Sequence, residues 1–157
     1  MSQTIRPAAI RKSLTLQASP NKAFSVFTDG IGRWWPKTHH IGASPLVDAV
    51  IEPGVGGRWY GRHEDGGETP WGEVLAWEPP GRLVLAWRIT KDWGYDPNLL
   101  TEIEVSFVAG ADGQTHVAFE HRGLERFGDS EGAEAARISM DGGWGFILEG
   151  YRTAAEA

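Results

Sequence analysis

The chain has 157 residues, carries a formal net charge of −6 and contains no cysteine. The absence of cysteine excludes disulfides, thiolate zinc sites and a cysteine nucleophile, and it weakly favours a reducing compartment. The acidic balance and scattered basic residues argue against nucleic-acid binding, and no apolar run is long enough for a membrane span or a signal peptide. We therefore expect a cytoplasmic protein with one domain over residues 1–157, of which residues 1–8 are flexible.

A strand and two short helices are predicted first. Ile10, Leu14 and Leu16 alternate with polar residues, which is typical of a half-buried strand. Ser19 is a suitable N-cap and Pro20 a suitable first residue for the helix that follows. A second short helix is expected over "IGRWW", ending at the next proline.

Six more strands are predicted between residues 46 and 122. They are separated by Gly- and Pro-containing turns and have the sequences "LVDAVIEP", "GGRWYGRHE", "PWGEVLAWE", "RLVLAWRIT", "LTEIEVSFV" and "QTHVAFEHR". Connections this short predict antiparallel pairing, because parallel strands need long crossovers.

The last segment is predicted to be a long amphipathic helix capped by Ser130. Its apolar stripe consists of Met140, Trp144, Ile147, Leu148 and Tyr151. Gly142 and Gly143 interrupt good helix formers, and we expect them to permit a kink or a close approach to the sheet. Packing this helix on the concave face of a curved sheet is the economical way to bury the stripe.

Several motifs occur in the order and spacing of a known family. They are "SPNKAFSVFTD" with "IGRWWP", then "EPGVGGRWYGR", "WGEVLAWEPPGRLVLAW", "HRGLER" and "GGWGFILEGYR". The chain resembles the Aha1 C-terminal-domain-like (activator of Hsp90 ATPase homologue) family of the START-like, Bet v 1-like superfamily over most of its length.

The resemblance implies an α+β helix-grip fold. In this fold a curved antiparallel sheet of six to seven strands wraps around a long C-terminal helix and encloses a hydrophobic cavity. The eukaryotic co-chaperone of the family carries an additional N-terminal domain that we do not see here, so we do not expect an Hsp90 interaction. Fold relatives also include aromatase/cyclase-type enzymes that act on polyketides.

Histidines are the polar candidates for the cavity. His121 shares its parity with two apolar residues of the last strand, so it is expected inside, as a ligand contact, an acid–base group or a core histidine bonded to a neighbour. His63 shares a strand face with Trp59, which we take as the cavity face. Adjacent His39 and His40 lack metal-ligand spacing and are expected in a loop at the surface or cavity rim.

Aromatic residues are the candidates for the cavity wall. The predicted ligand-binding set is Trp35, Trp59, His63, Trp71, Trp87, Phe107, Phe119, His121, Met140 and Trp144. Trp34 and Trp35 differ by about 100° around a helix, so one is expected under the sheet rim and the other at the cavity mouth, with plain core packing as the alternative.

The opposite faces of the strands carry charge. Arg82 and Arg88, and Glu102 and Glu104, alternate with apolar residues and are expected to form cross-strand pairs on the outer face. Glu73 lies in a strand of mixed parity and could instead be a buried carboxylate. We find no nucleophile elbow, phosphate loop or dinucleotide fingerprint, and we expect neither a metal nor a cofactor.

The leading hypothesis is therefore a protein that binds a small hydrophobic or aromatic molecule between sheet and helix. The alternatives are a cyclase-like enzyme, with His121 as the only and weak catalytic candidate, and a chaperone-binding module with an exposed apolar patch. A homodimer is the default expectation for exposed sheet edges.

Overall fold

The structure, a computed structural model, describes residues 9–40, 43–90, 94–127 and 130–157, with only the backbone described for residues 127 and 130–137. Its strands are β1 (Ile10–Leu16), β2 (Leu46–Ile51), β3 (Arg58–His63), β4 (Glu68–Glu78), β5 (Arg82–Trp87), β6 (Thr101–Ala109) and β7 (Thr115–Arg122). Its α-helices are α1 (Pro20–Thr28), α2 (Ile31–Trp34) and α3 (Ser130–Ala155). Within these ranges, no helix combines the length and the apolar composition that crossing a membrane requires.

All seven strands form one antiparallel sheet in the order β1-β7-β6-β5-β4-β3-β2. The sheet curls into a half-barrel, with α3 as the C-terminal helix, which confirms the predicted helix-grip fold. The first two strands lie at opposite edges, so the segment with α1 and α2 connects one edge of the sheet to the other. This connection brings the two tryptophans at the end of α2 to the concave side.

The first helix begins as its sequence predicts. The Ser19 hydroxyl oxygen accepts a hydrogen bond from the Lys22 backbone N–H at 3.2 Å, and Pro20 is the first helical residue. This cap satisfies one of the backbone donors that every helix N-terminus leaves without an intrahelical partner.

The predicted stripe of α3 faces the sheet. Trp144, Ile147, Leu148 and Tyr151 are buried and Met140 is partly buried against the core. Helix α3 starts at Ser130, whose side chain, proposed as the cap, lies outside the described side chains.

The glycines of α3 correct one expectation. A methyl group added at Gly142 or Gly143 would meet no other atom within 4 Å, so neither residue provides a close approach to the sheet. The close approach is at Gly150, where a Cβ atom would lie 3.1 Å from the Trp34 carbonyl oxygen. A side chain there would push α3 away from the end of α2.

The outer face carries the predicted ion pairs. Arg82 Nε lies 2.8 Å from a Glu104 carboxylate oxygen, and Arg122 bridges Glu102 and Glu104 at 3.0 and 2.7 Å. Hydrogen bonds from Arg82, and then from Arg122, lower the pKa of Glu104. These pairs join β5, β6 and β7 on the side away from α3.

Glu73 belongs to the same outer face and is not a buried carboxylate. Its side chain is 31% exposed, and one oxygen lies 3.0 Å from the Nε atom of Arg88. The guanidinium of Arg88 also donates to the carbonyl oxygens of Pro97 and Leu99, so it ties β4 to the loop before β6.

The two kinds of glycine in α3 should respond oppositely to alanine. Gly142→Ala is expected to raise the free energy of unfolding by about 0.5–1 kcal/mol, because alanine favours helix and space is open there. Gly150→Ala should lower it, because its methyl group presses on the Trp34 carbonyl. Urea unfolding monitored by circular dichroism measures both, and a stabilised Gly150→Ala variant would contradict the packing described.

Candidate functional site

Five buried indoles meet on the concave side of the sheet. They belong to Trp35, Trp59, Trp71, Trp87 and Trp144, which we call the indole cluster. The ring centroid of Trp35 lies 5.1 Å from that of Trp71, 5.9 Å from Trp144, 6.1 Å from Trp59 and 6.4 Å from Trp87. The structure thus brings together five members of the predicted wall, from α2, three adjacent strands and α3.

The end of α2 explains why two neighbouring tryptophans both point inward. Trp34 is the last helical residue, and its indole N–H donates to the Val26 carbonyl oxygen at 2.8 Å. Trp35 follows the helix and has an extended backbone, with φ −66° and ψ 127°. Its indole N–H donates to the His39 carbonyl oxygen at 2.7 Å. The expectation that one of them lies at a cavity mouth is wrong, because the 100° separation holds only inside a helix.

Gly61 makes room for the cluster. It occupies the inward position between Trp59 and His63 on β3, and a Cβ atom there would lie 3.0 Å from the ring of Trp71. The inner face of this strand is the tryptophan face, as we expected. Any larger residue at this position would separate β3 from the indole of β4.

Three of the five indoles have no acceptor for their N–H group. The Nε1 atoms of Trp59, Trp71 and Trp87 are buried and make no hydrogen bond within the described structure. A buried tryptophan N–H usually finds a partner, and leaving one without costs about 1–3 kcal/mol. With three such donors on three adjacent strands, this part of the interior has more unsatisfied hydrogen-bond donors than a protein core usually contains.

His121 is fully buried and bonded through both ring nitrogens. The Trp144 N–H donates to His121 Nδ1 at 3.1 Å, so the ring proton lies on Nε2, which donates to the Thr101 hydroxyl oxygen at 2.8 Å. That hydroxyl donates to the Trp87 carbonyl oxygen at 2.9 Å. We call this series the His121 chain.

The His121 chain bears on the acid–base role that the sequence left open. Burial lowers the pKa of His121 to about 3, so the ring is neutral at neutral pH. With both nitrogens engaged, its geometry favours the alternative of a core histidine that positions Trp144. Thr101 was missed at the sequence level, although it shares its parity with the inward residues of β6.

The two phenylalanines of the predicted wall lie in different places. Phe119 packs on Trp144 with ring centroids 4.8 Å apart, whereas Phe107 contacts Phe24 and Phe27 of α1 at 5.3 and 6.0 Å. The predicted wall is therefore divided between the indole cluster and a second aromatic group beneath α1. Tyr151 completes that second group, since its ring lies 5.1 Å from Phe27.

His63 is held near the β2 edge of the sheet. Its Nδ1 donates to the Ser44 carbonyl oxygen at 2.8 Å, and its Nε2 lies 2.7 Å from the Thr69 hydroxyl. His40 packs beside it, with ring centroids 5.4 Å apart, while His39 stacks on the exposed Phe146 of α3. Among the described residues, no group of three or more histidines and carboxylates could hold a metal ion.

A shallow depression of about 430 Å³ lies on the opposite, outer face of the sheet. Its floor includes Ser13, Ser106 and Ala118, and the charged side chains of Arg11 and Glu120 stand at its rim. It is open to solvent and lies on the outer face of β1, β6 and β7, whereas the sheet members of the indole cluster lie on the inner face of β3, β4 and β5.

Comparison with known proteins places the chain in a family. Residues 17–154 match the model of the family described as "Activator of Hsp90 ATPase homolog 1-like protein" (AHSA1). The chain belongs to the AHSA1 family. The match includes every member of the indole cluster, and it confirms the resemblance seen in the sequence. No curated protein matches the chain.

Solved structures of similar proteins cover almost the whole AHSA1 chain. One is an anthrahydroquino-Gama-pyrone synthase, Txn09, complexed with SUM, at 36% identity and a TM-score of 0.66, covering 95% of this chain and 97% of that chain. Another is a self-sacrificing resistance protein, CalC, from Micromonospora echinospora, at 32% identity and 0.69, covering 96% and 94%. The Aha1 dimer from Colwellia psychrerythraea, at 20% identity and 0.63 over 95% and 96%, shares the fold.

The burial of His121 predicts a pH dependence of stability. Between pH 6.5 and about 3 the unfolded chain binds a proton at this residue that the folded chain does not. The free energy of unfolding should therefore fall as the pH drops below about 6.5, by up to ~1.4 kcal/mol per pH unit from this group.

Urea unfolding of wild type and His121→Gln from pH 7 to pH 5 isolates this contribution. The variant should be less stable at pH 7 but should lose less stability on acidification. His116→Gln, at an exposed position of the same strand, is the reference for losing a histidine. An unchanged slope in His121→Gln would show that the ring does not titrate as its burial requires.

Proposed function

We propose that this protein binds a small, planar aromatic molecule on the concave side of the sheet, between the sheet and α3, where the indole cluster lies. The observation that carries the proposal is the convergence of five buried indoles, three of which find no acceptor for their N–H in the part of the chain that the structure describes. In an ordinary core, tryptophan is placed where its N–H can reach an acceptor, whereas aromatic walls with a few free polar groups are typical of small-molecule sites.

The relatives support the class of ligand. The relative at 36% identity is named as a synthase of an anthrahydroquino-pyrone, and the one at 32% identity is named as a resistance protein. The first name specifies a synthase of an aromatic small molecule, and the chain matches both proteins over nearly their full length. The helix-grip fold itself is compatible with a ligand cavity.

A cyclase-like enzyme is the second candidate, and the similarity to the synthase favours it. In such a reaction the site would fold a flexible polyketide so that an enol carbon attacks a carbonyl carbon and one water leaves. Both ring nitrogens of His121 are hydrogen-bonded to groups of the protein, so we do not expect His121 to transfer a proton to or from the substrate. Its role in either function is to hold the Trp144 indole in place.

Ligand binding is tested with two variants of α3. The uncharged probe 2-(hydroxymethyl)anthracene should quench tryptophan fluorescence saturably, and Trp144→Leu should weaken this binding at least about tenfold by removing an aromatic wall. Phe146→Leu, two residues along but 62% exposed, is the matched control and should bind within about twofold of wild type. Native mass spectrometry of the purified protein would reveal a co-purified molecule. Equal weakening by both variants would place the ligand elsewhere.

The enzymatic alternative is tested by turnover. The purified protein is incubated with an aromatic polyketide that bears a free 1,3-diketone, and loss of one water is followed by mass spectrometry. If the reaction occurs, His121→Gln should retain turnover of bound substrate, because His121 is a positioning residue. A variant that binds normally but loses turnover would instead make His121 the proton carrier.

A further inference from the structure

We propose that the ligand carries carbonyl or quinone oxygens on its aromatic frame, and that these oxygens accept hydrogen bonds from the indole N–H groups of Trp59, Trp71 and Trp87. The inference rests on the proposed function and names the chemistry that the site selects. A plain aromatic hydrocarbon would fill the same space but would leave these donors without partners.

The distribution of satisfied and unsatisfied indoles supports this assignment. Trp34, Trp35 and Trp144 each donate to an acceptor within the protein. The donors without acceptors belong to β3, β4 and β5, which are neighbours in the sheet. These residues are only 1%, 0% and 4% exposed, so their N–H groups are removed from bulk solvent.

The surroundings favour a neutral oxygen over an anion. Neighbouring indoles offer at best weak N–H···π contacts, whereas a carbonyl oxygen gives a full hydrogen bond. An anion would have to lose its hydration inside a wall of aromatic rings, and the nearest described titratable ring, His121 at 5.7 Å from Trp87, is bonded on both nitrogens. A polar but uncharged acceptor avoids that desolvation cost.

Trp35 occupies the position that such a ligand needs. Its ring packs against all three indoles with unsatisfied N–H groups, at centroid separations of 5.1 to 6.4 Å. It is also the one member of the cluster that comes from neither the sheet nor α3, and its N–H is bonded to a loop carbonyl, that of His39. A planar ligand reaches the three donors by displacing this indole, whose place it takes between the sheet and α3.

Two probes with the same frame separate the acceptor from the aromatic surface. 2-(Hydroxymethyl)-9,10-anthraquinone and 2-(hydroxymethyl)anthracene share the tricycle and are both uncharged, and only the first has carbonyl oxygens. Titration calorimetry of wild type should show the quinone binding at least about tenfold more tightly, the effect of one satisfied buried donor. Equal affinities would overturn the inference and leave the proposed function standing, whereas no binding of either probe would remove the proposed function itself.

Variants locate the donors. Trp59→Phe, Trp71→Phe and Trp87→Phe each keep an aromatic ring but remove one N–H. At least one should reduce the preference for the quinone over the anthracene about threefold or more. Loss of ring size alone should weaken the binding of both probes by the same factor. Trp77→Phe, on β4 but outside the indole cluster, is the matched control and should keep the preference. A preference that persists in all three variants, or falls equally in the control, would overturn the assignment.

A measurement on wild type does not depend on the variants folding. In ¹⁵N-correlated NMR spectra, the indole N–H signals of Trp59, Trp71 and Trp87 should move downfield when the anthraquinone binds and should not do so with the anthracene. The Trp35 signal should show faster exchange with water in both cases, because its ring leaves the interior. Unchanged signals from Trp59, Trp71 and Trp87 at quinone saturation would contradict the inference.

Discussion

The His121 chain is the polar connection on which the arrangement of the interior depends. It joins α3 to β5, β6 and β7 through side-chain and carbonyl atoms that are all removed from water. Apolar packing alone would hold α3 against the sheet but would allow it to slide or rotate. A directional hydrogen bond in a low-dielectric interior fixes one orientation, because every alternative leaves a buried polar atom without a partner. The position of the Trp144 ring over the sheet follows from it.

The three indoles on β3, β4 and β5 differ from the His121 chain in that their polar atoms are not hydrogen-bonded within the described structure. The N–H groups of Trp59, Trp71 and Trp87 are buried without acceptors among the described residues, so the folded protein carries an energetic cost there. Such a cost is tolerated when it serves function, since native proteins depart from complete polar satisfaction mainly at sites. The interior therefore contains the hydrogen-bonded His121 chain, which fixes α3, and three indole N–H groups that can donate further hydrogen bonds.

Much of this architecture could be predicted from the sequence, because it depends on local periodicity. The alternation along β5, β6 and β7 correctly separated buried residues from the charged residues of the outer face, and the spacing along α3 gave its buried stripe. These patterns also placed most of the predicted wall residues, including Trp59, Trp87 and Trp144, on the concave side.

Features that depend on how distant segments meet could not be predicted. Trp35 turns inward because α2 ends one residue earlier, a boundary that residue patterns locate only approximately. Gly150 is required by the Trp34 carbonyl, which is remote in sequence, while the more conspicuous Gly142 and Gly143 have open space. The hydrogen-bond partners of His121 come from β6 and from α3, so parity gave its direction but not its hydrogen bonds.

The pairing of β1 with β7 has a consequence for how the chain acquires its structure. Ile10 lies opposite His121, so the first strand must wait for nearly the whole sheet before its own partner exists. Contacts this far apart in sequence require a long loop to close first, which slows folding and places the protein among the slower single-sheet topologies. During synthesis, the hairpins from β3 to β6 can form in order, while β1 keeps its backbone donors and acceptors unpaired until the seventh strand has emerged. The interior around His121 is therefore assembled last, when β1, β7 and α3 come together.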